Sequence, residues 1–550
     1  GPEAGESAAE LCGRSEIAFL VGAAQRLKQY VTEGQSLRSI RGAASILDRV
    51  TAKLAEEVAD GVGRECVLRD AGSVLECVVP ADQAPWWKDR IRSVFFSETD
   101  AVFAATGYVR CTVGHLLSDE FGDARQRAWR LVESDRDGAE WPGMETLPFE
   151  ARCLRCGVRS AEIDSGNPPG SGDRRSQILC GACRVRETEG SRIRRERVIK
   201  AIEIGLGRGG TGPRDLGVTH DFPDALPPSL DEMVPRFSDV RDKVGVITFD
   251  GDNFGQLVRS LRDYASSVQW SRRTRNTVRV AAYRALCEAV QSAADRRPGL
   301  FDYLPFEVLL LSGDEFTAIT WEGIALDTAK CFLEYADREY SAVKHDIHFS
   351  GAVTTCSKKA PARLLLESCE ALLKVAKRHA KQREEGVVNF LVTDSLAELP
   401  DDPAELAEML FKDPETKGGE PLCLTLLPLS ARELGFMLER AREVVRKNQV
   451  GPLKRLAGAY LRRPSAVAKL FFLYYMARAK DAGLQDMVGA KARLAWTDVF
   501  PEICLPDSTV PGRLPLTIDG HLRGDHPTQV RFTPLRDLVE IAKTLPRTGG

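Results

Sequence analysis

The chain has little histidine and no long apolar run, and each shortage excludes something. Only seven histidines occur in 550 residues and none precedes His115, so no His/Asp array of the kind a metal-dependent phosphohydrolase needs opens the chain. His220-Asp221 falls in a proline-rich connector, and His345-Asp346, with His348 nearby, falls beside a strand; both dipeptides read as structural. No segment approaches the roughly 18 uninterrupted apolar residues of a membrane-spanning helix. Nor does a basic stretch followed by an apolar run begin the sequence, which leads to the expectation of a cytoplasmic protein with no membrane contact; Gly1-Pro2 reads as the remnant of a tag-removing protease. Disulfides are not expected from the 14 cysteines, because a chain of this size without a secretion signal keeps most of them reduced, buried or metal-bound. The net charge of −3 points to no particular partner, but basic residues cluster from Arg184 to Lys200 and from Arg440 to Arg463.

Hydrophobic residues at 43% and charged residues at 28% place the chain among globular proteins, and its length accommodates three or four cores. Residues 15–148 alternate strand-like and helix-like pieces: Ile17–Val21, a helical stretch from Ala44 to Ala59, Cys66–Leu68 and Val74–Val79. A polar, Gly- and Arg-rich region with four spaced cysteines follows, then a connector rich in proline around Pro213 to Pro235. From Val244 the alternation returns as strand Val244–Phe249, a helical region from Phe254 to about Ala294, strand Phe306–Leu311, a tight turn and strand Phe316–Trp321. A helix near Asp327–Val343, a strand at Ile347–Thr354, a helix at Ala362–Gln382 and a strand at Val387–Val392 continue it; beyond Asp394 the pattern turns helical, through Leu429–Lys447, Val467–Ala482 and Leu535–Leu545.

The two α/β stretches repeat each other weakly. Ile17-Ala-Phe-Leu-Val-Gly-Ala-Ala aligns with Val246-Ile-Thr-Phe-Asp-Gly-Asp-Asn, putting Val21 at the position of Asp250 and Ala23 at that of Asp252. The turn Asp70-Ala-Gly-Ser resembles Leu311-Ser-Gly-Asp-Glu. On this alignment the first copy lacks the carboxylates of the second.

Those carboxylates carry the chemistry. Asp250 ends an apolar strand, which presents its side chain at the mouth of a sheet. Asp314 and Glu315 occupy a tight turn in the neighbouring hairpin, where Ser312-Gly313 lets backbone approach a phosphate. Three converging acids repel one another unless a divalent cation binds, and Mg²⁺ favours a few carboxylates plus substrate phosphates. The alternative is an ordinary polar turn; the Asp-Gly-Asp-Asn-Phe-Gly string upstream favours catalysis. Separately, Cys153-Leu-Arg-Cys156 and Cys180-Gly-Ala-Cys183 form two C-x₂-C knuckles. That spacing suits one tetrahedral structural Zn²⁺, whose four thiolates leave no open position for catalysis.

The strand ending in Asp250-Gly-Asp-Asn-Phe-Gly, the hairpin Ser312-Gly-Asp-Glu-Phe and the later Leu372-Leu-Lys-Val-Ala-Lys resemble the palm shared by GGDEF cyclases and CRISPR polymerases. The closer resemblance is to the large, polymerase-like subunit of type III CRISPR effector complexes. It implies an α/β plus α fold with two ferredoxin-like palms of βαββαβ type: a degenerate first palm over 1–148, a zinc-binding domain and linker over 149–240, a catalytic palm over 241–395 and a helical C-terminal domain over 396–550. The HD nuclease domain that opens many members is not matched, so DNA cleavage is not expected. The resemblance assigns metal, Mg or Mn in a two-metal site, to Asp250, the Gly251 carbonyl and Asp314, with Glu315 as a ligand or acid–base group. Asn253 and Phe254 would line the nucleotide site, Ser350 and Gly351 would sit beside the base or ribose, and Lys377, less surely Lys381, would reach the triphosphate. Ser312 and Glu315 depart from the usual Gly-Gly-Asp-Asp.

The implied activity joins ATP into cyclic or short oligoadenylate messengers, with other effector subunits and guide and target RNA as partners. Two other readings stand beside it: a scaffold subunit with a degenerate palm that binds guide-RNA complexes through its basic helical domain, and a GTP-using diguanylate-type cyclase. The clustered acids argue against the scaffold, and an absent Asn-Asp pair argues against the cyclase.

Overall fold

The computed structural model describes residues 16–34, 36–118, 120–137, 150–163, 178–207, 212–237, 242–261, 263–341, 347–395, 422–423, 426–462, 496–500, 518–522, 528–532 and 534–546. The helix expected over Val467–Ala482, Arg463 and the dipeptide His345-Asp346 lie outside them. Among the described residues no helix is long and apolar enough to cross a membrane.

The first sheet is built from β1 (Ile17–Ala24), β2 (Val67–Ala71), β3 (Val74–Pro80) and β4 (Ala104–Cys111) in the order β2-β3-β1-β4, every pairing antiparallel. Between β1 and β2 run α1 (Leu27–Thr32) and α2 (Leu37–Gly61); α3 (Ala84–Thr99) joins β3 to β4, and α4 (Phe121–Asp137) follows. The Ser36 hydroxyl caps α2 by accepting from Ser39 N–H, and Ile40, Ala43, Leu47, Val50, Leu54 and Val58 recur every three or four residues as its buried stripe. Next, α5 (Gly181–Leu206) packs along α2, and the second α/β unit begins with β5 (Lys243–Gly251), α6 (Phe254–Ser260) and α7 (Tyr264–Arg296). It continues through β6 (Phe306–Ser312), β7 (Glu315–Trp321), α8 (Glu322–Ser341), β8 (Phe349–Ser357), α9 (Ala362–Arg383) and β9 (Val387–Val392), and is joined by β10 (Leu429–Ser430). Its sheet runs β10-β9-β8-β5-β7-β6, with β8 and β9 parallel and the rest antiparallel.

Both units therefore follow strand, helices, hairpin, helix, strand, with the first strand central, and their registers fix the correspondence. Each hairpin closes through two residues, Ala71 opposite Val74 and Ser312 opposite Glu315. Val74 in turn faces Ala23, while the Phe249–Phe316 pairing sets Asp250 across from Glu315. Ala23, not Val21, thus stands where Asp250 stands, and Gln25 replaces Asp252. Two further features agree: Gln25 N–H donates to the Phe103 carbonyl as Asp252 N–H donates to that of His348, both at 2.9 Å, and the next residues, Arg26 (φ 51°) and Asn253 (φ 60°), are both left-handed helix caps. The alignment read from sequence was two residues off, but its conclusion stands, because neither Ala23 nor Gln25 carries a carboxylate.

The C-terminal region, expected to be mainly helical, also carries strands that the sequence did not reveal. Its helices α10 (Ala431–Arg446), α11 (Val450–Arg462) and α12 (Leu535–Thr544) are accompanied by β10 and by a three-stranded sheet of Leu422–Cys423, Thr528–Phe532 and Ile518–Leu522. Two-residue strands carry no periodicity to read. Helix α5 crosses α2 with backbones in contact, because a Cβ on Gly42 or Gly190 would overlap the carbonyl of Arg186 or Arg38. Buried charges are paired at the same junction: Glu33 takes Arg186 at 2.8 Å and Arg159 at 2.5 Å, and Glu307 takes Arg41 and, at 3.0 Å, Arg194.

Candidate nucleotide and metal sites

Strand β5 is buried on both faces, with Phe249 set against Phe332 at 4.3 Å between ring centres. Alternation turns Thr248 and Asp250 the other way, and the Thr248 and Thr317 hydroxyls meet at 3.3 Å on that face. The β6–β7 turn carries Asp314 and Glu315 to the same place, with Gly313 at φ 62°, a conformation that favours glycine. The opposite wall belongs to the first unit: Lys28 from α1, Asp48 from α2, and Arg69 and Gly72 from the first hairpin. The cavity encloses about 190 Å³, below the roughly 300 Å³ at which ligand pockets begin. A nucleotide held here either parts the walls or protrudes from the mouth.

Burial and the neighbouring Asp250 raise Glu315 to about 7 and Asp314 to about 6. Burial likewise lifts Asp252 to about 6 against the opposing pull of the Ser350 hydroxyl, which bonds it at 2.7 Å. Burial would lower Lys28, but the Glu370, Glu315 and Asp250 carboxylates outweigh it and leave it raised; its ammonium lies 3.3 Å from Glu370. Lys377 from α9 bonds the Asp250 carboxylate at 2.6 Å and the Gly251 carbonyl at 3.4 Å, two of the oxygens that the family resemblance assigns to a metal.

Asp250, Gly251, Ser312, Gly313, Asp314, Glu315 and Lys377 are therefore brought together, with Asn253 exposed at the cap of α6 and Lys381 exposed one turn beyond Lys377. Three expected residues turn elsewhere. Phe254 is 7% exposed and lies in an aromatic cluster with Trp270, Tyr340 and Phe349, and Gly251 is glycine because a Cβ there would strike the Phe254 ring. Gly351, opposite Phe249, makes room for that ring on the side away from Asp250. Ser350 is fully buried and engages Asp252. Sequence reasoning did not single out Lys28, Asp48, Arg69 and Glu370, which reach the cavity only through tertiary packing.

The four knuckle cysteines are buried, and their sulfurs all lie within 4.8 Å of one another, with Cys156 and Cys180 3.9 Å apart. Thiolates at about 2.3 Å around a tetrahedral Zn²⁺ stand about 3.8 Å apart, so this group fits the ion. One knuckle is a turn closed by the Gly157 N–H to Cys153 carbonyl bond at 2.9 Å; the other starts α5, with Cys180 as its cap. Hydrogen bonds from Cys180 and Cys183 hold the Cys156 thiol far below its usual value. The carboxylates are not drawn into so tight a group: among the described residues only the four thiols place ligand atoms that close. Lys377 pairs with one of the acids, Asp250.

No family model matches the chain, and no curated protein matches it in sequence. Its fold does match solved structures. A crystal structure of a Csm1-Csm4 cassette in complex with cA3 aligns over 96% of this chain and 70% of its own at 13% identity and TM-score 0.54. The cassette in complex with one ATP aligns over 98% and 71% at 12% identity and TM-score 0.53. The Csm1-Csm4 subcomplex in the type III-A CRISPR-Csm interference complex aligns over 96% and 70% at 13% identity and TM-score 0.50. The chain spans 55% to 71% of the length of the solved chains it matches. It shares the fold of the chain matched in these structures.

Proposed function

We propose that this chain is a metal-dependent nucleotidyltransferase that joins ATP into cyclic or short oligoadenylates as the large subunit of a type III CRISPR effector. The observation that carries the proposal is the gathering of Asp250, Asp314 and Glu315 on one wall of a cavity whose other wall belongs to a copy of the same unit with Ala23, Ser73 and Val74 at their positions. The raised pKa values of Asp314 and Glu315 mark uncompensated negative charge that suits cations. Bound divalent cations, held by Asp250, the Gly251 carbonyl, Asp314 and Glu315, would lower the pKa of an attacking ribose hydroxyl and stabilise departing pyrophosphate. Lys377 would leave Asp250 to take a triphosphate oxygen, and Glu315, where it is not held as a ligand, would accept the hydroxyl proton. The Ser312-Gly313 turn admits phosphate, and Asn253 and Lys381 guard the mouth. Zinc at the four cysteines braces the region 149–240. Nucleotide-bound states and a second subunit in the matched cassettes support ATP and a Csm4-type partner for this chain.

The Lys377–Asp250 pair and the spread carboxylates favour a second reading, a scaffold with a degenerate site. The two separate on incubation with ATP, GTP, Mg²⁺ and Mn²⁺, with and without partner subunits and target RNA. Adenylate oligomers found by mass spectrometry support the enzyme; their absence under all conditions supports the scaffold.

A further inference from the structure

The two units grip each other's hairpin turns from the same helix position. In α2, Asp48 lies twelve residues past the N-cap Ser36, and its Oδ1 accepts from the Ser312 hydroxyl at 2.8 Å in the second hairpin. In α7, Arg275 lies twelve residues past the N-cap Asp263, and it donates to the Asp70 carboxylate and, at 2.8 Å, to the Asp70 carbonyl in the first hairpin. The turns also touch directly, since Ser312 Oγ accepts from the Gly72 N–H at 3.2 Å. On the Asp48 side, Arg197 of α5 completes the joint, lying 3.7 Å from the Asp48 carboxylate and donating to the Leu309 carbonyl of β6 at 2.6 Å.

We propose that Asp48 and Arg275 are paired positioning residues, related by the internal repeat, and that the Ser312 hydroxyl is the joint through which the first unit fixes the Asp314 carboxylate. A glycine at position 312 would offer no such joint, so the serine of Ser-Gly-Asp-Glu is a coupling device. The two halves of the clamp act differently. Asp48 sets the turn that bears Asp314, whereas Arg275 sets the first hairpin on the opposite wall. Losing the first half therefore lowers kcat, and losing the second raises KM.

The proposal rests on the nucleotidyltransferase reading only for its kinetic part, so the test uses two readouts on the full chain. Hydrogen exchange followed by mass spectrometry is read over the peptide spanning 69–75, whose Gly72 amide is held by Ser312. Ser312→Ala is expected to speed that exchange roughly tenfold, the effect of losing one such bond, and Ser312→Thr, which keeps the hydroxyl, is expected to restore it. In the partner-supplied assay, Asp48→Ala is expected to lower kcat roughly tenfold with KM little changed, and Arg275→Ala to raise KM with kcat little changed. Unaltered exchange in Ser312→Ala overturns the proposal whether or not the wild type forms product. Identical kinetic changes in Asp48→Ala and Arg275→Ala overturn the division of roles. A wild type without product contradicts the enzymatic reading and leaves the exchange result to decide the clamp.

Discussion

Asp314 and Glu315 sit above the ordinary carboxylate range, at about 6 and about 7, so between about pH 4 and 7 the native chain binds more protons at these groups than the unfolded chain does. The sign follows: their contribution favours the native state at low pH and is lost as pH rises through that window. Thermal unfolding in magnesium-free buffer should therefore show Asp314→Asn gaining on the wild type as pH goes from 5 to 7.5, and a constant difference would contradict the assigned environment. The same variant should form no product, as should Asp250→Asn, while both keep the native circular-dichroism spectrum. Asp70→Ala should cost far less activity, because Asp70 bonds Arg275 and is not among the residues lining the cavity. A loss as complete as that of Asp314→Asn would make the first copy catalytic. At this scale the acids were legible in the sequence because a strand end and a two-residue turn present side chains in fixed directions. Phe254 and Gly351 were not, because which face of a backbone meets a neighbouring ring is decided by packing.

The second cysteine knuckle opens α5, with Cys180 as its cap and Cys183 in its first turn, and Arg194 and Arg197 lie three and four turns later on Glu307 and Leu309 of β6. The purified protein should hold one zinc per chain by elemental analysis. Cys153→Ser or Cys180→Ser should lower the unfolding midpoint, since metal binding free energy is folding free energy; a folded, zinc-free preparation of unchanged midpoint would contradict this. The strands of the second unit were legible as apolar runs, its hairpin closed by a Gly-containing turn, whereas β4 and the C-terminal strands were not singled out. Helix limits were less so: the helical region expected from Phe254 is two helices, the second capped by Asp263, whose carboxylate accepts from Ser266 N–H at 2.7 Å. The basic C-terminal helices also look different once folded. Arg442 is taken by Asp327 of α8, an acid that a count along its own helix misses, and Arg440 by Glu443 of the same helix at 2.8 Å.

Across the whole molecule the internal repeat was visible as two short strings, but its register came only from strand pairing, and the cavity between the copies came only from their docking. Nothing along the chain announces that Lys28, Asp48 and Arg69 face Asp250. Association with an RNA-bearing partner complex should weaken steeply with salt if the remaining C-terminal charges meet phosphate; binding insensitive to salt would assign them to solvent. The central claim is that the second unit's carboxylates join nucleotides, and the most direct measurement is mass spectrometry of ATP incubated with Mg²⁺, partner subunits, target RNA and either wild type or Asp314→Asn. The account predicts adenylate oligomers from the wild type and none from the variant, and equal products from both, or none from either, would contradict it.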